Sequence, residues 1–349
     1  MAHQFVVGTR SSALAVAQTR MVVDALHQLL ADESEVSLEI AVLPTTGEQA
    51  THSTAQGDFS PGPSPYACAE QLRDALRERR IDVAVHYADQ LPVRDGAGVR
   101  IACTPWRAST HDTLCTTAGW TLDTLPHGAV VGSASPCRTA QLTAYRDDLQ
   151  VVPVRGTIER RLDVLSPDAA GAGNCDGVVV SEAGLHWLSS VNREVLDYVS
   201  QVIPYCIMLP SPGQGVLALE VRDPADDDDD PQYRALLGAL ERLNDPGTLL
   251  ALTAERALVA TLDANCLTPV AGFAWHQPSS AGTLLMRSEV FTPEGQRLDT
   301  LGDVRLPAPE WGGGSRHGWQ VTTEMCDAAK SLGTALADDL FSQGYRAPQ

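Results

Sequence analysis

The sequence predicts an α/β fold, in which two similar α/β domains precede a smaller α+β C-terminal domain. Three observations predict it. From Phe5 to Val221, short apolar runs alternate with stretches of helical periodicity. A strand–glycine–hydroxyl–helix arrangement occurs twice, at Phe5–Ser12 and again at Val130–Ser135. Beyond the acidic stretch Asp223–Pro231 the pattern changes to a helix, two strands and a long final helix.

Phe5–Val7 reads as a strand leading into Gly8-Thr9-Arg10-Ser11-Ser12. Leu14, Ala17, Met21, Ala25 and Leu29 then recur at helical spacing, with Ser11 or Ser12 as the N-cap. The Gly- and Pro-rich stretch Ser60–Pro65 reads as a loop before a helix from Ala67 to Arg80. Strands Ile81–His86 and Val99–Cys103 follow, and the second approaches a crossover at Thr104-Pro105. The second unit opens with Val130-Val131, Gly132-Ser133-Ala134-Ser135 and a helix carrying Arg138, Leu142 and Tyr145. It continues with strand Gln150–Val154, a helix around Ile158–Leu165, the buried-type strand Gly177–Val180 and a strand near Gln201–Pro204. Val216–Val221 returns the chain to the first sheet. The acidic run reads as a solvated linker. After it come a helix through Leu249, Leu252, Ala257 and Leu258, strands Pro269–Trp275 and Leu284–Phe291, a turn at Pro293-Glu294-Gly295, and a helix from about Val321 to Phe341. The domain division predicted is 1–104 with 205–224, then 105–204, then 240–349.

Hydrophobic residues make up 44% and charged residues 20%, the balance of a globular protein. No apolar run reaches the roughly 18–20 residues that a membrane span needs. The start MAHQFVVGTR lacks the pattern of a signal peptide, so the reading is cytoplasmic with no membrane partner. A net charge of −19 argues against nucleic acid as a partner, because phosphate attraction requires a basic face. Lys330 is the only lysine, so arginine carries the basic chemistry. The 8 cysteines form no CxxC pair, which fits neither a zinc site nor a disulfide framework, and no metal is expected. Each helix start after a glycine turn presents free N–H groups and a positive dipole end, suited to an anion; the alternative is an ordinary βα turn with a capping serine.

An ordered set of segments resembles the hydroxymethylbilane synthase (porphobilinogen deaminase) family. They are Val7–Ala15, Thr45-Thr46-Gly47-Glu48, Ile81–His86, Val131–Leu142, and Val152-Pro153-Val154-Arg155-Gly156 with Arg161-Leu162. Leu209-Pro210-Ser211-Pro212-Gly213-Gln214-Gly215 follows, then Thr253–Ala257 leading to Cys266. The resemblance implies three domains, two of them like the halves of a periplasmic binding protein with the active site between, and a monomer. It also implies a transferase that joins four porphobilinogen units head to tail, releasing ammonia at each step, on a dipyrromethane cofactor held as a thioether to Cys266. Loss of ammonia leaves an electrophilic azafulvene that a thiolate or a free pyrrole carbon can attack. Each pyrrole carries acetate and propionate, so arginine forks and helix N-termini are the receptors to look for. By motif position the ligands are Arg10, Ser12, Ser133, Arg138, Arg155 and Arg161.

The sequence departs from the family after His86. The family reads Ser, a variable residue, Lys, Asp, an apolar residue and Pro, where this chain has Tyr87-Ala88-Asp89-Gln90-Leu91-Pro92. The catalytic aspartate falls on Gln90 and the substrate-binding lysine on Asp89. A glutamine carbonyl accepts a pyrrole N–H but carries no charge to stabilise a cation. Asp89 takes over the carboxylate role if the loop shifts by one residue. One of the usual paired arginines is Cys137, beside Arg138, and a basic residue of the family is Trp187. Two functions follow as expectations: a pyrrole-condensing deaminase acting on an anionic pyrrole, or a recruited protein of specialised metabolism that keeps the fold and takes a different small molecule beside Trp187.

Overall fold

The computed structural model describes residues 3–31, 36–44, 66–94, 96–166, 174–223, 230–265, 267–277, 282–308, 310–311 and 319–347. The Thr45–Glu48 motif, the Ser60–Pro65 loop, residues 224–229 of the acidic run and Cys266 lie outside the described residues.

The first sheet has the order β2-β1-β3-β10-β4, from β1 (His3–Arg10), β2 (Val36–Leu43), β3 (Val83–Tyr87), β4 (Val99–Cys103) and β10 (Leu217–Arg222). The second has the order β7-β6-β8-β5-β9, from β5 (Asp112–Cys115), β6 (Val130–Ser133), β7 (Gln150–Pro153), β8 (Gly177–Ser181) and β9 (Val199–Ile203). In each sheet the first three strands are parallel and the fourth runs antiparallel to both of its neighbours. That fourth strand is the one that has just crossed from the other sheet: β5 follows β4 through residues 104–111, and β10 follows β9 through 204–216. This is the doubled α/β arrangement that the repeated strand–glycine–helix signal predicted.

The helices fill the faces. α1 (Ala13–Leu29) buries Val22, Val23 and Leu26 against Phe5 and Val7. α2 (Ala67–Arg77) stops three residues before the sequence pattern suggested, where Arg79 turns to φ 57°. α3 (Pro136–Tyr145), α4 (Ile158–Asp163) and α5 (Glu182–Ser189) serve the second sheet. α6 (Pro231–Leu243) packs Tyr233, Leu236 and Leu240 onto the first sheet's core. The C-terminal layer consists of α7 (Pro246–Thr261), the antiparallel strands β11 (Val270–Gln277), β12 (Thr283–Phe291) and β13 (Arg297–Arg305), a short pair β14 (Glu310–Trp311) and β15 (Trp319–Gln320), and α8 (Thr323–Ser342). Its core joins Leu250, Ala254 and Leu258 of α7 to Leu284, Met286, Leu332 and Leu336.

The two crossovers lie side by side. The Ala108 N–H donates to Gly215 O at 2.8 Å, and Arg107 and Val216 form an antiparallel bridge. Gly215 has φ +77°, and a Cβ there would stand 2.7 Å from Ala108 O, so a side chain would force the crossovers apart. Glu255 of α7 fastens this junction to the C-terminal layer. Its fully buried carboxylate accepts from Arg107 (2.7 and 3.1 Å), from the Gly213 N–H (2.6 Å) and from the Ala274 N–H (2.8 Å). Removing the carboxylate leaves a poorly hydrated guanidinium and two backbone donors without their acceptor. Glu255→Ala should therefore lower unfolding free energy by about 3–5 kcal/mol, read from urea denaturation of the full chain. A loss below about 1 kcal/mol would mean the junction is held by other contacts.

Candidate functional site

A cleft of about 450 Å³ opens between the two sheets and the C-terminal layer. Ser12 caps α1 by accepting the Ala15 N–H (3.3 Å), and Ser135 caps α3 by accepting the Arg138 N–H (3.4 Å). Ser181 caps α5 through the Gly184 N–H (3.3 Å). These caps line the cleft together with Thr157 at the start of α4. Four helix N-termini thus converge on one space, and their dipoles make it favourable for anions inside an acidic protein.

Residues Ala88–Gln90 form a single 3-10 turn after β3. The turn carries Ala88, Asp89 and Gln90 into the cleft wall together, so Asp89 reaches the cleft without any shift of register. Gly213, at φ +81°, packs against the turn so closely that a Cβ would lie 3.0 Å from the Asp89 nitrogen. Beneath it, Glu220 of β10 meets Arg73 (2.7 Å) and His86 (3.2 Å). Burial alone would raise the Glu220 carboxyl, but its bonds to His86 and Arg73 prevail and hold it down to about 2.

The neighbours Asp89 and Gln90 differ in what they offer. The Gln90 side chain is exposed, and its carbonyl accepts from Arg10 Nη1 at 2.5 Å. Asp89 Oδ1 is enclosed and accepts no hydrogen bond. Burial pushes the Asp89 carboxyl up to about 6; Arg138, Arg10 and Arg161 pull the other way, and Asp112 adds to the rise. Arg138 is almost wholly buried and bound through Nη2 to Asp112 (2.8 Å) and Gln214 (3.2 Å), while its Nε has no partner. Arg161 donates from Nε to Gly156 O at 2.9 Å. Burial, with Arg138 nearby, brings it down to about 10, so it stays cationic at neutral pH.

The structure therefore gathers Arg10, Ser12, Asp89, Gln90, Arg138 and Arg161 around one cleft. Ser133 and Arg155 line an adjoining groove of about 570 Å³ instead, which meets the cleft at Ala134 and Ser135. Ser133 is buried beneath the α3 cap, where its hydroxyl donates to Ser135 O (3.2 Å). Cys266 is not among the described residues, but Asn265 and Thr268 on either side of it line the cleft. Trp187 does not line it: the ring is buried with Ala183 and Leu217 and lies 6.2 Å from the Tyr87 ring. Sequence reasoning assigned no role to Arg256, Glu159 or Tyr66, which line the cleft, or to Asp112 and Gln214, which hold Arg138. Gln214 stood inside a quoted motif and Arg256 inside another, so a signal was present for both. Among the described residues no group of His, Cys, Asp and Glu could hold a metal ion, and no helix is long and apolar enough to cross a membrane.

Comparisons with known proteins find similar sequences along nearly the whole chain. A family model described as "Porphobilinogen deaminase, dipyromethane cofactor binding domain" matches residues 5–230, and one described as "Porphobilinogen deaminase, C-terminal domain" matches residues 249–306. A porphobilinogen deaminase of Micrococcus luteus is 36% identical, over 97% of this chain and 92% of its own length. One of Thermus thermophilus is 34% identical, over 98% of this chain and 96% of its own. Among solved structures, a TRAP periplasmic solute binding protein from Ochrobactrum anthropi is similar at 11% identity and a TM-score of 0.41, over 70% of this chain and 75% of that one.

The state of Asp89 has a consequence for stability. Its folded value, about 6, lies above its ordinary 3.8. Between those values the folded site holds a proton that the unfolded chain releases, so stability falls as pH rises through the window. Asp89→Asn removes that loss. The variant should melt a few degrees above the wild type at pH 8, with the difference vanishing near pH 4. A gain of the same size at both values would show that charge is not its origin.

Proposed function

The chain belongs to the porphobilinogen deaminase family, and from that premise we propose that it is a deaminating transferase in which Asp89 supplies the working carboxylate. It joins porphobilinogen-type pyrroles head to tail into a linear oligopyrrole. The observation that supports the role of Asp89 is the contrast on one turn: Gln90 spends its carbonyl on Arg10, while Asp89 Oδ1 stands enclosed and open among three arginines.

The residues present suit the dipyrromethane cofactor of the matched family model. Asp89 Oδ1 is a buried acceptor without a partner and Arg138 Nε a buried donor without one, and both belong to the cleft. A pyrrole N–H and a pyrrole carboxylate satisfy such a pair. Arg10, Ser12, Arg138 and Arg161 would hold the carboxylates in the cleft, Ser133 and Arg155 would extend the site along the groove, and Cys266 would carry the thioether. When bound, the cofactor supplies a free pyrrole carbon as the nucleophile.

The chain's own residues account for the remaining chemistry. Arginine forks and helix N-termini orient the acetate and propionate groups of the incoming pyrrole. Asp89 accepts the pyrrole N–H and stabilises the positive charge that develops on the ring as the bond to ammonia breaks. A carboxyl poised at about 6 also gives and takes a proton near neutrality, as a general acid–base should. Gln90 holds Arg10 in place. The same reading makes the protein a cytoplasmic monomer; it divides the chain into domains 1–104 with 205–224, 105–204 and 240–349, a division supported by the two sheets and the C-terminal layer.

The test is porphobilinogen consumption together with intact-protein mass. Asp89→Ala should lower kcat by at least about 100-fold and Gln90→Ala by less than about tenfold. The opposite ranking overturns the assignment. Wild-type protein should exceed its sequence mass by two pyrrole units and Cys266→Ala should not.

A further inference from the structure

Arg138 is shared between two carboxylates of different kinds. Asp112, the first residue of β5, is 1% exposed and lies 2.8 Å from Arg138 Nη2. Asp89 lines the same cleft as Arg138, and the two charges act on each other. Gln214, in the second crossover, binds both members of the inner pair. Its Oε1 accepts from Arg138 Nη2 (3.2 Å), and its Nε2 donates to Asp112 Oδ1 (2.9 Å) and to Thr110 O in the first crossover (2.9 Å). The Nη2 edge of Arg138 is thus anchored where the two crossovers meet, and Nε is the buried edge left unsatisfied.

We propose that Asp112 and Gln214 are positioning residues for Asp89: by anchoring Arg138 to the crossover junction they set how far that guanidinium stabilises the Asp89 carboxylate. A cation already paired with one carboxylate stabilises a second one less, because the second feels the partner's repulsion along with the cation's attraction. The charged groups that act most strongly on Asp89 are Arg138 of α3, Asp112 of β5, Arg10 of β1 and Arg161 of α4, with Tyr87 beside it in sequence; Glu159 of α4, Arg256 of α7 and Cys137 of α3 also line the cleft. The second crossover packs the backbone of Gly213 against its turn and brings Ser211 and Pro212, neither of them charged, to the cleft. Of these groups, Asp112 is the one that raises the Asp89 carboxyl by charge, and it is bound to Arg138 at 2.8 Å. This inference rests on the reading of Asp89 as the working carboxylate, but its geometry can be tested separately.

The experiment follows Asp89 directly, by carboxyl-carbon NMR of the full-length protein labelled at aspartate, with the resonance assigned by its loss in Asp89→Asn. Asp112→Asn should move the Asp89 midpoint down by about one pH unit and shift the acidic limb of kcat/KM for porphobilinogen by the same amount. Asp112→Glu, which keeps the carboxylate, should restore the wild-type midpoint. Should Asp112→Asn fail to fold, Gln214→Glu reverses the sign: a carboxylate added at the same edge of Arg138 should move the midpoint up. An unchanged midpoint in folded Asp112→Asn or Gln214→Glu overturns the proposal. Failure of the underlying reading would look different: Asp89→Asn would turn over porphobilinogen at the wild-type rate, whatever the midpoints do.

Discussion

The Glu255 carboxylate is the constraint on which the geometry of the cleft depends. A buried carboxylate is tolerated only when enough donors replace its water, and here the donors come from three separate parts of the chain. Arg107 belongs to the first crossover, Gly213 to the second and Ala274 to β11. One group therefore fixes both crossovers against the C-terminal layer. The consequence passes directly to the site, because Gly213 packs on the 3-10 turn that carries Asp89 and Gln90. The Ala88 N–H also donates to Val216 O at 3.0 Å. A shift in Glu255 would thus reach Asp89 through two contiguous contacts.

Electrostatics in the cleft follows from the same packing. The protein carries a net charge of −19, yet its cleft collects Arg10, Arg138, Arg161 and Arg256. Arg10 is tied to a glutamine carbonyl, Arg138 to a carboxylate, and Arg161 and Arg256 to backbone carbonyls. These tethers fix where each guanidinium points before any ligand arrives, which lowers the ordering cost of binding. They also explain why three arginines do not fully ionise Asp89. Desolvation acts on the whole carboxylate and outweighs them, and the pull of Arg138 is opposed by Asp112, to which it is already paired.

Much of the fold was legible because its signals are local. The Phe5–Ser12 and Val130–Ser135 units became β1–α1 and β6–α3, with Ser12 and Ser135 as the caps. Other elements were hidden by tertiary context. In β5, Asp112 and Thr113 are polar yet buried in a strand flanked on both sides, and Arg138 and Gln214 from distant segments make Asp112 tolerable there. In β13, Leu298 and Thr300 alternate inward while acidic residues and the exposed Leu301 interrupt any apolar run. α6 directly follows the acidic run and joins the first sheet's core, a long-range attachment that composition does not reveal. At the site, Arg10, Arg138 and Arg161 were readable from motif position. The division between Gln90 and Asp89 was not, because a 3-10 turn and a register slip leave the same sequence.

Of the residues in which this chain departs from its family, Tyr87, Asp89, Gln90 and Cys137 line the cleft and Trp187 packs beside Tyr87, and that bears on what the departures do. Tyr87, where the family has serine, faces the ring of Trp187, where it has a basic residue. Together they pack with Ala183 and Leu217 in the first sheet's core. Cys137, in place of an arginine, is buried with Leu209 and Ala271, and burial pushes its thiol up to about 12, so it contributes no charge. At Asp89 and Cys137 the departures each remove a positive charge of the family pattern from the cleft wall. Drier surroundings with fewer cations raise a carboxyl toward neutrality, and a carboxyl near 6 is the kind of group that acid–base work requires. On the proposed reading of Asp89 as the working carboxylate, the missing lysine and the missing arginine act in the same direction: both leave that carboxyl with fewer cations to hold it ionised.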